Sequence, residues 1–220
     1  MIISNFTRIE LISYIQNQLN NFFPDNLKTK NILDENLNEA LFRTFRCING
    51  IQMWPKDIFD PMHSSQYCTF LYYLANTIWK NTGASNIPVK LFMLNKSLNG
   101  IDCFYEIELP EVFFIGHSVG IVLAKATYKN YFAIYQNATV GKNNGIAPTI
   151  NEKVIMYGNT AIIGDCIIAP GSIISQGTSI IDSDTKPNLI AFRSNNFSTL
   201  SFREPKRSFL EDIFRLHDVL

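Results

Sequence analysis

The sequence predicts an α+β chain, with an all-helical N-terminal domain followed by a parallel β-helix of hexapeptide repeats. Two observations predict it. Apolar residues recur at helical spacing up to about residue 98, and from Ile150 onward every sixth residue is apolar (Ile150, Met156, Ile162, Ile168, Ile174, Ile180). The expected organisation is a helical domain over 1–99, the β-helix over 100–190, and a C-terminal tail with a short helix over 191–220.

The helices come first. From Phe6 to Phe23 the residues Ile9, Leu11, Ile12, Ile15, Leu19, Phe22 and Phe23 share a face, and Pro24 ends the run. A second helix is expected over Ile32–Ile48, with Leu33, Leu37, Leu41, Phe42 and Phe45 on one stripe. A third runs from about Pro61 to Asn81, with Gly83 placed as its C-cap. A fourth begins after Pro88 and stops near Gly100. Their apolar stripes are core, with no cofactor box among them.

The second half has a different rhythm. Four residues after each of the first five hexad positions sits a small or β-branched residue: Val154, Thr160, Cys166, Ser172 and Thr178. Neither a helix nor a strand repeats every six residues, so one residue per hexad points inward and three hexads close one triangular coil. At an apolar content of 46%, six matches in one frame arise by chance about 1% of the time. The period extends backwards through Leu109, Ile115 and Ile121, and in a shifted phase through Ile134 and Val140; 141–149 breaks it and reads as a protruding loop.

Composition narrows the function. Nineteen basic and nineteen acidic side chains cancel, which speaks against a nucleic-acid partner held by phosphate neutralisation. The most apolar helical run, Phe70–Trp79, is about half the roughly 20 residues that a membrane span needs. The N-terminal segment lacks the pattern of a secretory signal, and Cys47, Cys68, Cys103 and Cys166 are scattered without a C-x-x-C pair. Free buried thiols and a cytoplasmic location are expected.

Several strings across residues 60–195 carry a family resemblance. Asp60-Pro61 with Trp79-Lys80-Asn81-Thr82-Gly83, Gly100-Ile101-Asp102, His117-Ser118-Val119-Gly120-Ile121-Val122, Ile134 to Gly141, and Pro148-Thr149-Ile150 resemble the serine acetyltransferase branch of the left-handed β-helix acyltransferases. The departures are equally specific. Gly116 stands where that family has Asp before its catalytic His, Ile146-Ala147 where it has Arg-His, and Ala124-Lys125 where it has Gly-Glu. With the strings Met62–Tyr67 and Phe104–Pro110, the pattern looks nearest to the group that O-acetylates sugars of bacterial surface polysaccharides. The resemblance implies acetyl-CoA as acyl donor, no metal, and a homotrimer with sites between subunits. The helical domain would then either pair trimers into hexamers or cap the prism.

Acetyl transfer from a thioester to a hydroxyl needs a base, a slot for the pantetheine arm and donors for the oxyanion. Of three histidines, His63, His117 and His217, only His117 lies within the repeats, and an imidazole suits the base. His217, in an expected terminal helix from Phe209 to Leu220, is not a catalytic candidate. Asp102 precedes His117 by a little less than the three hexads of one coil, and can hold the imidazole in place; Glu106 and Glu111 are its rivals. Asp60 either reaches the acceptor or caps the third helix, with Pro61 at the first helical position. His63 either contacts a sugar or is an exposed helix-start residue, and Gln136 is a third candidate at the acceptor. By resemblance the donor contacts fall at Gly141, Tyr157, Gly158, Ser175 and Gln176. Arg193, Lys206 and Arg207 would meet phosphates or serve as surface charges.

Other chemistries lack their residues. A zinc hydratase needs three histidine ligands, and no dinucleotide or P-loop string occurs. Serine O-acetylation stays open as the enzymatic alternative, and a non-catalytic β-helix scaffold as the other.

Overall fold

The computed structural model describes residues 2–25, 27–193 and 199–216. Strand β1 (Ile2–Ile3) leads into α1 (Arg8–Phe22), α2 (Lys30–Asn49), strand β2 (Ile58–Phe59), α3 (Ser64–Thr82) and α4 (Asn86–Asn99). The α1 N-terminus is a capping box: Thr7 Oγ1 accepts from the Glu10 amide at 3.3 Å, and Glu10 Oε2 accepts from the Thr7 amide at 2.7 Å. Helices α3 and α4 end at Gly83 and Gly100, both left-handed at φ +67° and +65°. Helix α4 begins ahead of Pro88, at Asn86, rather than after it; in a first turn the missing N–H leaves no bond unmade.

Four short strand groups then wind into coils. Strand β3 (Asp102–Cys103) opens the stack; the first group holds β4 (Phe113–Gly116) and β5 (Val122–Leu123), which lies on β3, and the second β6 (Thr127–Tyr128), β7 (Phe132–Tyr135) and β8 (Thr139–Gly141). The third holds β9 (Thr149–Ile150), β10 (Ile155–Met156) and β11 (Ala161–Ile163), and the fourth β12 (Ile167–Ile168), β13 (Ile173–Ile174) and β14 (Ser179–Ile181). Strand β15 (Ile190–Arg193) adds a last parallel rung, β16 (Leu200–Arg203) folds back antiparallel on it, and α5 (Leu210–Ile213) follows. His217 lies outside the described residues.

The strands stack into three parallel sides, as the hexads require. One side runs β4-β7-β10-β13-β15 with β16 at its edge, the second β3-β5-β8-β11-β14, the third β6-β9-β12. Ile155 pairs with Ile173 and Ala161 with Ser179, each pair separated by three hexads of sequence. Ile150, Met156, Ile162, Ile168, Ile174 and Ile180 are at most 1% exposed, and Val154, Thr160, Cys166, Ser172 and Thr178 are buried beside them. Each inward aliphatic contributes about 1.5–3 kcal/mol relative to an exposed one. The 141–149 segment is a tight hairpin: Asn143 and Ile146 exchange backbone hydrogen bonds at 3.0 and 2.8 Å around Asn144-Gly145, both at positive φ.

The apolar interior crosses the expected boundary at 99/100. Cys47, Cys68, Tyr72 and Tyr73 from the helices pack with the inward row of the coils. Tyr72 Oη donates to Ile107 O at 2.7 Å and accepts from the Leu109 amide at 2.9 Å, while Asn76 Nδ2 donates to Tyr105 O at 2.8 Å. A second cluster runs from the helices up the outer face of the first side, through Phe114, Ala133, Ile155 and Ile173, and beneath Ile213 and Phe214 of the tail. Helix α3 is buried from Gln66 through Ile78 because both clusters meet on it. No described helix is long and apolar enough to cross a membrane.

Candidate active site

His117 occupies the corner between the first and second sides, and that corner is longer in its coil than in those above. Asp102 pairs with Val122, further along the chain than three hexads reach, whereas Val122 with Thr139 and Ala161 with Ser179 are separated by three hexads or slightly less. In the higher coils the turn is made by one residue at positive φ: Asn137, Asn159 and Gly177, stacked by the bonds Asn159 N to Gln136 O at 3.0 Å and Gly177 N to Gly158 O at 3.2 Å. Gly120 continues that column downward at φ +75°, and His117 lies in the extra length before it, itself at φ +56°. For a bulky non-glycine residue this conformation costs of order 1–3 kcal/mol. The surroundings hold it: Ser118 is buried and its Oγ donates to Asn99 O at 2.6 Å, while the imidazole stays exposed.

The ring of His117 faces a cleft of about 300 Å³ lined by Met53, Trp54, His63, Ser65, Phe114, Gly116 and Tyr135. The walls are aromatic. A chain of rings runs from His63 through Trp54, Phe114 and Tyr135 to Tyr157, with centroids 5.6, 5.6, 5.7 and 5.4 Å apart and the last pair stacked at 25°. Gly116 is what admits Tyr135: a Cβ there would lie 2.7 Å from two atoms of that ring. Burial pushes the Tyr135 hydroxyl up to about 12, with Tyr157 and Asp212 adding to it. It therefore stays a neutral donor at working pH.

The structure brings His63 to His117 and corrects the start of the third helix. That helix begins at Ser64, and its cap is His63, whose Nδ1 accepts from the Gln66 amide at 3.4 Å. Asp60 does not cap the helix. Its Oδ1 accepts from the Met62 amide at 2.9 Å, its N–H donates to Gln66 Oε1 at 2.8 Å, and its carbonyl accepts from the His63 amide at 3.0 Å. A short side chain satisfying its own turn prevails over the longer reach to the helix. Asp60 thus builds the turn that carries His63.

Asp102 is in register with Val122, one layer from the His117 coil and past its corner. Its carboxylate accepts from Lys96 Nζ at 2.7 Å. The rivals are committed to other cations: Glu106 to Lys125 at 3.2 Å and Glu111 to Arg46.

Above His117 the corner forms a vertical track. Since Gly116 pairs with Tyr135 and Tyr157 stacks on Tyr135, the residues that follow, Gln136, Gly158 and then Gln176, rise coil by coil at steps of about 4.8 Å. The buried Gln136 Oε1 has no hydrogen-bond partner, and a Cβ on Gly158 would lie 2.9 Å from Gln136 Nε2. Ser175 and Gln176 belong to this track, but Gly141 does not: it ends β8 on the second side, in register with Ile163. In the tail, Arg193 Nε donates to Ser179 O at 2.9 Å, Arg207 pairs with Asp212 at 2.7 Å, and Lys206 is exposed.

Trp54, Phe114, Met53, Ser65 and the cleft role of Tyr135 were not evident from the sequence. One signal was available: an aromatic residue directly follows the inward Ile134 and Met156 in successive coils, which aims two rings outward in one column. Among the described residues no cluster of three or more His, Cys, Asp or Glu could hold a metal ion.

No family model and no curated protein sequence matches the chain. Solved structures do. It superposes on serine acetyltransferase from Vibrio cholerae with TM-score 0.70 at 16% identity, covering 90% of this chain and 80% of that one. For serine acetyltransferase from Neisseria gonorrhoeae the values are 0.69, 14%, 90% and 80%. For a serine acetyltransferase in complex with CoA they are 0.65, 14%, 83% and 80%. At these identities the likeness establishes the fold: a helical region followed by a parallel β-helix.

Proposed function

We propose that this chain is an acetyl-CoA-dependent O-acetyltransferase with His117 as its general base. The observation that carries the proposal is an exposed imidazole in a strained left-handed conformation, placed where an aromatic cleft meets a polar track. In this reading His117 accepts the proton of an acceptor hydroxyl as its oxygen bonds to the thioester carbonyl carbon. The carbon–sulfur bond then breaks, and the imidazolium returns the proton to the departing thiolate. Asp102, freed from Lys96, would accept the second N–H of the ring and stabilise the cation. The orphaned Gln136 Oε1 and the space kept open at Gly158 fit an amide-bearing pantetheine arm along the track. Tyr157, Ser175 and Gln176 would line it, with Arg193 and Lys206 near its phosphates. Gly141 would reach it only from a neighbouring subunit. Exposed Val119, Val122, Ile167 and Ile181 support packing of the prism into a homotrimer.

Two acceptors remain, each with its own support. Serine is favoured by the similar solved structures, one of which is a Neisseria gonorrhoeae serine acetyltransferase in complex with serine. A sugar hydroxyl, as on a surface polysaccharide, is favoured by the cleft: rings and neutral donors line it, and among its described lining residues there is no Arg, Lys, Asp or Glu to grip a zwitterion. Tyr135 also fills the space beside Gly116 where the resembled family carries an Asp.

Thiol release from acetyl-CoA, measured with serine and with a panel of sugars, decides among the readings. Release with serine alone selects the amino acid; release with sugars alone selects the polysaccharide reading. No release with any acceptor, together with no acetyl-CoA binding by calorimetry, would leave a scaffold.

A further inference from the structure

The tail after β16 returns along the outside of the first side and closes on the segment that carries Trp54. Phe214 packs edge-on against Tyr131 at 5.5 Å and bridges Ile51, Gln52 N donates to Ile213 O at 2.7 Å, and Arg215 N donates to Gly50 O at 2.9 Å. The Arg215 guanidinium then gathers four backbone carbonyls: Asn49 and Ile51 through Nη1 at 3.0 and 2.6 Å, Gln52 and Trp54 through Nη2 at 3.2 and 2.6 Å. Segment 50–54 has no regular structure of its own after α2 ends, and Gly50 lies so close to the coil that a Cβ would meet Val112 Cγ1 at 2.5 Å. Without Arg215 those carbonyls would turn toward water, and the bend that carries the ring would lose its frame.

We infer that Arg215 is a positioning residue for the acceptor cleft: through the carbonyls of 49–54 it fixes Trp54, the ring that touches both His63 and Phe114. The inference rests on the acetyl-transfer reading for its kinetic arm only. A planar fork reaching four acceptors cannot be replaced by an ammonium of the same charge, so Arg215→Lys should behave like Arg215→Gln. Misplacing one wall of a site by about 1 Å costs roughly tenfold to a hundredfold in turnover efficiency, here expected as a rise in acceptor KM with acetyl-CoA KM unchanged.

The chain has two tryptophans, Trp54 and Trp79, so Trp79→Phe leaves Trp54 as sole reporter. In that background Arg215→Lys and Arg215→Gln should red-shift Trp54 emission, increase its quenching by acrylamide, and raise acceptor KM about tenfold. The thermal transition should stay cooperative. Unchanged Trp54 emission and quenching, or an unchanged acceptor KM despite a moved Trp54, overturns the inference. If the Trp79→Phe parent itself transfers no acetyl group to any acceptor, the transfer reading fails, while the fluorescence still decides whether Arg215 holds Trp54.

Discussion

The ring of Tyr135 lies across the α-carbon of Gly116, so close that a methyl group on residue 116 would sit 2.7 Å from two ring atoms. The two residues pair in register on adjacent strands, and the glycine leads directly into His117. The cleft wall and His117 are thereby coupled through one missing side chain. Gly116→Ala should force Tyr135 aside, at a cost of about 1–3 kcal/mol from overpacking. A lowered melting temperature with a loss of activity larger than that of Tyr135→Phe would bear this out.

His117→Ala should lower kcat by about 10²–10⁴-fold and leave stability unchanged or improved, because the exposed ring buries little and an alanine at φ +56° bears similar strain. Asp102→Asn should cost less activity than His117→Ala. Its other expected effect is release of Lys96, a surface pair contributing at most about 1 kcal/mol. Steady-state kinetics beside thermal melts separates the two.

Gly158→Ala should weaken acetyl-CoA binding more than acceptor binding, because its Cβ would meet the Gln136 amide at 2.9 Å and displace it from the track. Calorimetric titration with coenzyme A reads this directly. A larger loss for the acceptor than for the donor would place Gln136 at the acceptor instead.

The thiols should be silent. Burial pushes Cys47 and Cys68 up to about 12, and Cys103 and Cys166 upward as well. Alkylation at pH 8 should label none of the four in the native chain and all of them in denaturant. The linkage has a definite sign. These groups keep their protons in the folded state after the unfolded chain has begun to lose them, so stability holds below about pH 9 and falls as pH rises from there toward 12. Urea midpoints between pH 7 and 11 test it.

The β-helix was legible because a six-residue period has no other simple source, and all six of its inward residues from Ile150 to Ile180 are buried. Helix ends marked by Gly83 and Gly100 were equally plain. Capping at His63 was not, since Asp-Pro is the stronger local signal, and only the turn closed by Asp60 on Met62 and His63 moves the start to Ser64. His117, the proposed base, could be picked out as the one histidine within the repeats. The cleft walls could not, because Trp54, His63, Phe114 and Tyr135 come from four separated segments brought together by coil stacking and the returning tail. Nothing local in the sequence marks Arg215, whose partners all belong to the helical half of the chain.

The descent of residues 204–214 from the top rung to Ile51 has one further consequence. Coils repeat almost interchangeably, so whole rungs of three hexads could be duplicated or removed with little local disturbance. A peptide of fixed length tying the last rung to the base of the column forbids that freedom. It acts as a ruler, and it makes the height of this prism a property of the tail as much as of the repeats.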